Sequence, residues 1–435
     1  MFRIVGSVAT NTTTDAMTQP TLACLTRLLA HTTLALGLAA SASAALAQAQ
    51  VFPPLPTPVP VPQEDAFYTS PPQASLNTAS PGAVLRYREI TAKAYYVFPV
   101  KGQAWQLMYR STDHNGLPVA MVGTVLVPDN APASQRQLMS YNVAYDALTL
   151  KCAPSYSFAR GTALEQVLIR QALRKGMVVM SPDYEGLGSY WTVGRLAGQG
   201  TLDGIRAAQN FAQAGLDGAA TPVVITGYSG GSIAATWANE LYRSYAPELN
   251  IKGVAAGGVP VDLGNVARKV DGKLFAGVYF AAVAALANAY PEVDTEVLTN
   301  DKGKAMLAKA QDMCLGQFLT GQPDPLTGFA FQKMKNNITV PDLLQVPVIQ
   351  QVIAQNRLGQ RTPGAPAYIY QGTLDEMMPI ADVDALVNQY CRRGAPLVYR
   401  RTVNDHLLLA VSGYGKAFEF LQDRLNGVPL QSTCR

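Results

Sequence analysis

The pentapeptide Gly227-Tyr228-Ser229-Gly230-Gly231 is the stretch of this chain best suited to chemistry. It follows the short apolar run 222–226 and precedes a helical pattern over 232–245, so it occupies a strand-to-helix turn. Such a turn strains its central residue and requires small neighbours, which Gly227 and Gly231 supply. A serine hydroxyl is a weak nucleophile at neutral pH and needs a base, normally a histidine oriented by a carboxylate. The chain has 3 histidines. His31 lies in an N-terminal apolar run and His114 in a turn upstream, which leaves His406 as the one following the serine. Because the chain order for this turn is serine, acid, histidine, His406 is the expected base. The bland alternatives are a serine that only caps its helix and a histidine in a surface loop.

For the acid, 11 aspartates lie between Ser229 and His406. Asp375 is chosen because it alone falls in the loop directly after a convincing strand, Tyr368-Ile369-Tyr370. Glu376 is the fallback. Asp405 is too close in sequence to reach its neighbour's ring, and Asp382 and Asp384 read as residues of a helix start. The tetrahedral oxyanion requires preorganised donors, and the backbone N–H of Gly230 is one. The second is expected from the loop after the strand 138–143, which reads Tyr141-Asn142-Val143-Ala144-Tyr145-Asp146-Ala147-Leu148 and lacks a His-Gly-Gly-Gly motif. Asp146 is the candidate, through its backbone N–H and a protonated side chain; the alternative is an aspartate that only stabilises the turn.

These residues must be held by strands alternating with helices. The pattern begins at about residue 80: strands at 84–90, 105–109, 119–127, 138–143, 177–180, 222–226, 251–259, 367–370 and 397–403, with helices at 163–174, 201–214 and 232–245. The helix at 201–214 is expected to open on a Thr201 cap. The fold class implied is α/β: an α/β-hydrolase with a doubly wound, mostly parallel sheet. The core is expected over 67–262 and 361–435. The stretch 263–360, rich in Ala, Leu and Val at helical spacing, reads as an inserted helical cap over the C-terminal edge of the sheet. Its uncharged run 274–290 is Ala-rich and short for a membrane span, and suits a buried or substrate-facing cap helix.

Residues 1–47 read as an export signal, with Arg27, an apolar run and small residues ahead of a cleavage site after Ala47. Export leads to the periplasm or the medium. Met17 is a second plausible start, and Cys24 is poorly placed for lipid attachment. Residues 48–66 form a Pro-rich leader, read as a semi-rigid extended spacer. With 34 Lys+Arg against 30 Asp+Glu, the net charge is +4 and no basic cluster appears, which argues against nucleic acid. Beyond the signal lie Cys152, Cys314, Cys391 and Cys434, an even set suited to an oxidising compartment. The favoured pairing is Cys152–Cys314 with Cys391–Cys434, the latter stapling the C-terminus, while four free thiols stay open as the alternative. No Cys/His spacing suggests a metal, and no cofactor is expected.

Tyr145-Asp146 followed by Cys152-Ala153-Pro154-Ser155-Tyr156, then Pro182-Asp183-Tyr184-Glu185-Gly186, Gly194-Arg195, Thr201-Leu202-Asp203-Gly204, the turn at Ser229, Gly372 to Asp375 and His406 together resemble the secretory lipase family. The resemblance spans nearly the whole chain beyond the signal. It implies an α/β-hydrolase with a helical cap, a triad of Ser229, Asp375 and His406, and an oxyanion hole of Asp146 and Gly230. It also implies hydrolysis of acylglycerols and other carboxylic esters without metal or cofactor, and it supports the Cys152–Cys314 pairing. Partners would be a lipid or small-molecule ester, with transient contact of the cap with a lipid interface, on a monomeric chain. Two rivals remain: an exopeptidase of the same fold, for which an acidic pocket gripping a substrate amine is expected, and a catalytically silent binding protein.

Overall fold

A computed structural model describes residues 49–95, 98–163, 165–314 and 328–434. The export signal and Cys24 lie outside the described residues, as does part of the expected cap.

Ten strands of the described residues form one sheet. In chain order they are β1 (Gln50–Val51), β2 (Val84–Ile90), β3 (Gln103–Thr112), β4 (Pro118–Val127), β5 (Leu138–Asn142), β6 (Val178–Pro182), β7 (Val223–Tyr228), β8 (Ile251–Gly257), β9 (Ala367–Gly372) and β10 (Leu397–Thr402). Their spatial order is β1-β2-β3-β4-β6-β5-β7-β8-β9-β10. From β6 onward every neighbour is parallel, whereas β2, β3, β4 and β6 pair antiparallel.

The central strands are apolar on both faces because both are covered. Alternation then sends successive side chains to opposite cores. Val223 and Ile225 of β7 join one core, with Val178 and Met180 of β6, while Val224 and Val179 join the other. The first core is closed by α3 (Gly194–Asn210) and α4 (Gly230–Tyr245), and the second by α1 (Pro154–Arg160), α2 (Gln166–Arg174) and, near the C-terminus, Tyr414–Leu425.

Between β8 and β9 the chain leaves the sheet for helices that include α5 (Leu263–Val270), α6 (Ala276–Ala289), α7 (Asp301–Ala310) and α8 (Pro347–Gln355). Helix α6 is buried along most of its length, with both of its aromatic residues, Tyr279 and Phe280, inside. No helix among the described residues is long and apolar enough to cross a membrane.

Two local readings differ from the sequence-based expectation. The helix expected to open at Thr201 begins at Gly194, and Thr201 is a buried interior residue whose hydroxyl donates to Asn142 Oδ1 at 2.9 Å. The Pro-rich leader is more than a spacer: Gln50 and Val51 pair with Arg86 and Tyr87, Leu55 N–H donates to Glu89 O, and the Phe52 ring packs on Phe67. Backbone pairing and aromatic packing add to the extended preference of the prolines here.

Cys152 is bonded to Cys314 and Cys391 to Cys434. The first joins the segment before α1 to the helical stretch between β8 and β9, where Ala147 and Cys314 also form a backbone bridge.

Candidate active site

Ser229 stands between β7 and α4 with φ +51° and ψ −123°, a conformation that costs a non-glycine residue on the order of 1–3 kcal/mol. Its N–H donates to Gly257 O of the neighbouring strand, which helps to hold the turn. The glycines are required by close backbone approach: a Cβ at Gly227 would overlap Gly231 O, and one at Gly231 would overlap Asn142 O.

His406 is the first residue of α10 (His406–Ser412), capped by Asp405, whose Oδ1 accepts from Leu408 N–H. His406 thus lies at a helix start and not in a surface loop, and Asp405 is spent on the cap. The ring of His406 places Nε2 at 2.9 Å from Ser229 Oγ and Nδ1 at 2.8 Å from Asp375 Oδ2. The backbone of His406 is fixed as well, since its N–H donates to Glu376 and its carbonyl accepts from Tyr228 OH at 2.6 Å. Glu376, the fallback acid, therefore meets the main chain of His406.

Asp375 accepts four hydrogen bonds: from His406 Nδ1 and Gln371 Nε2 on Oδ2, and from Met377 and Met378 N–H on Oδ1. Burial pushes its carboxyl up, but the hydrogen bond and charge of His406 together with the two N–H groups prevail, and it sits below its ordinary value. An ionised Asp375 only accepts, so Nδ1 carries the ring proton and Nε2 offers its lone pair to Ser229.

Asp146, at φ +39°, lies against Gly230, where an added Cβ would overlap its carboxylate. Its Oδ1 accepts from Trp191 Nε1 at 3.0 Å. Enclosure and the nearby Glu165 push the Asp146 carboxyl up to about 7, against the pull of the indole N–H. Glu185, buried with neither carboxylate oxygen hydrogen-bonded, is pushed well above its ordinary value by burial and by Asp146. Among the described residues, no group of three or more His, Cys, Asp or Glu is arranged to hold a metal.

A cleft open to solvent, with about 480 Å³ of space between its walls and mouth, lies beside Ser229. Its wall combines Asp146, Trp191 and Gly230 with apolar side chains of α5, α6 and the loop after β9, among them Val266, Val278 and Met378. Trp191, Gln371 and Tyr228 went unnoticed in the sequence. Only Tyr228 had a local signal, its place in the turn.

A family model described as secretory lipase matches residues 154–433. The chain belongs to the secretory lipase family. It is 36% identical over 396 residues to lipase 10 of Candida albicans, covering 86% of this chain and 83% of that one. A Mycobacterium tuberculosis protein named "Probable inactive lipase" is 35% identical over 380 residues, covering 84% and 83%. The X-ray structure of Candida antarctica lipase A in its closed state superposes with a TM-score of 0.79 at 30% identity, covering 86% of this chain and 89% of that chain. The chain therefore shares its fold with a solved lipase, and its family is that expected from the motifs.

Proposed function

We propose that this chain is an exported carboxylic ester hydrolase, a lipase or esterase cleaving acylglycerols or related acyl esters through an acyl-enzyme. The observation that carries the reading is the continuous relay Ser229 Oγ–His406 Nε2, His406 Nδ1–Asp375 Oδ2 at the mouth of an apolar cleft. His406 takes the proton of Ser229 as Oγ attacks the ester carbonyl, and Asp375 stabilises the resulting imidazolium. The tetrahedral oxyanion is met by the Gly230 N–H at the start of α4 and by Asp146. The imidazolium then protonates the leaving alcohol. Water activated by the same histidine releases the acid and restores Ser229.

The exopeptidase rival is disfavoured because Asp146, the one acid lining this cleft among the described residues, is bonded to an indole and poised between neutral and charged. The existence of a relative named as inactive makes the silent-protein rival worth testing. A fluorophosphonate probe is expected to label the wild type and not Ser229→Ala; a folded, unlabelled wild type would remove the enzyme reading. Rates on p-nitrophenyl esters from acetate to palmitate, compared with aminoacyl anilides, then separate esterase, lipase and peptidase. The small-residue leader over 1–47, the two disulfides and the family's secretory relatives support export.

A further inference from the structure

The loop Ser189–Thr192 carries strain that the triad does not explain. Ser189 and Thr192 both have positive φ, at 48° and 67°, and a β-branched residue is a rare occupant of that region. Both are almost fully buried. Strain of this kind persists only where its surroundings enforce it, and it gathers at functional sites. What the loop achieves is the placement of Trp191, whose indole forms part of the cleft wall and whose N–H reaches Asp146 Oδ1.

An indole N–H can only donate, so the oxygen it meets must present a lone pair. We propose that Trp191 is a positioning residue: by claiming Oδ1 of Asp146, it confines that acid's proton to Oδ2 and fixes the carboxyl beside the Gly230 N–H. This rests on the ester-hydrolase reading above. Asp146 is also faced by Glu165 from the segment before α2, by Tyr184 and Glu185 from the loop after β6, and by His406 from α10. Burial and the neighbouring glutamates favour the protonated carboxyl, whereas Trp191 and, less strongly, the charge of His406 favour the ionised form. Orientation thus comes at the cost of an earlier ionisation, and Asp146 loses its donor proton as pH rises.

The test uses the full-length enzyme and p-nitrophenyl butyrate. In Trp191→Phe the ring is kept and the N–H lost, so kcat is expected to fall roughly 10- to 100-fold while KM stays within about threefold. The alkaline limb of kcat is expected to move to higher pH, because the ionised carboxylate has lost its donor. In an Asp146→Asn background the same substitution is expected to add little further loss. A wild-type kcat, an unmoved alkaline limb, or an additive loss in the double variant would each overturn the role. A second readout needs neither turnover nor the Phe variant: wild-type indole emission should titrate near the Asp146 midpoint, and Asp146→Asn should abolish that titration. Absence of this titration in wild type counts against the hydrogen bond. An unlabelled wild type sinks the hydrolase reading and this role with it, whereas a labelled wild type with unaltered Trp191→Phe sinks the role alone.

Discussion

Asp375→Asn removes a single charge and almost no volume, and its consequence can be worked from the hydrogen bonds. Oδ1 accepts from Met377 and Met378 N–H at 2.9 and 2.7 Å, and Oδ2 from Gln371 Nε2 and His406 Nδ1 at 2.7 and 2.8 Å. An asparagine can satisfy the two main-chain donors only by keeping its oxygen at Oδ1. Its amide then points N–H bonds at Gln371 Nε2 and His406 Nδ1. Gln371 cannot turn freely, because its Oε1 already accepts from Val259 N–H. His406 can respond by moving its proton to Nε2, which gives the amide an acceptor at Nδ1. That proton then faces Ser229 Oγ, and the base has no lone pair where it is needed. Loss of the correct tautomer and of the stabilising charge is expected to lower kcat by about 10⁴-fold, or about 5 kcal/mol of barrier. The measurement is kcat and KM on p-nitrophenyl butyrate, with thermal unfolding as a folding control. Glu376→Gln serves as the comparison, since Glu376 contacts only the backbone N–H of His406 among the hydrogen bonds of the triad. If Asp375→Asn cost less than about tenfold while Glu376→Gln cost far more, the assignment of the acid would be wrong.

Two further outcomes follow from the same geometry. Gly230→Ala places a methyl group where the Asp146 carboxylate sits, so the Asp146 loop must shift, and kcat is expected to fall by about 10²-fold or more; activity within about threefold of wild type would contradict the placement of Asp146. Asp183 is pushed up to about 7 by burial, against hydrogen bonds from Ser155 N–H and Oγ. A carboxyl raised on folding contributes stability that is full below its unfolded value near 4 and is lost as pH climbs toward 7. Asp183→Asn should therefore flatten the fall in melting temperature between about pH 5 and about pH 8; an unchanged slope would show that other groups govern it.

That Ser229 and His406 would be brought together was legible in the sequence for local reasons. A strand-turn-helix leaves its mark within a dozen residues, and a chain with one histidine after its serine offers no second base. Strands came through where both faces are apolar, and less well at helix starts: the glycines at the beginning of α3 masked its first turn, which packing against Trp237 of α4 stabilises. The prolines of the leader advertised extension but gave no hint of the partner strand.

What the sequence alone determined is the set of chemically competent groups and the turn that strains Ser229, because both depend on neighbours along the chain. Only the tertiary structure decided how those groups are tuned. The His406 ring on Asp375, the Trp191 N–H on Asp146 and the buried acids around Asp146 join residues from separate elements. Hydrogen bonding and desolvation act over a few ångströms of space, and no spacing along a linear chain encodes them.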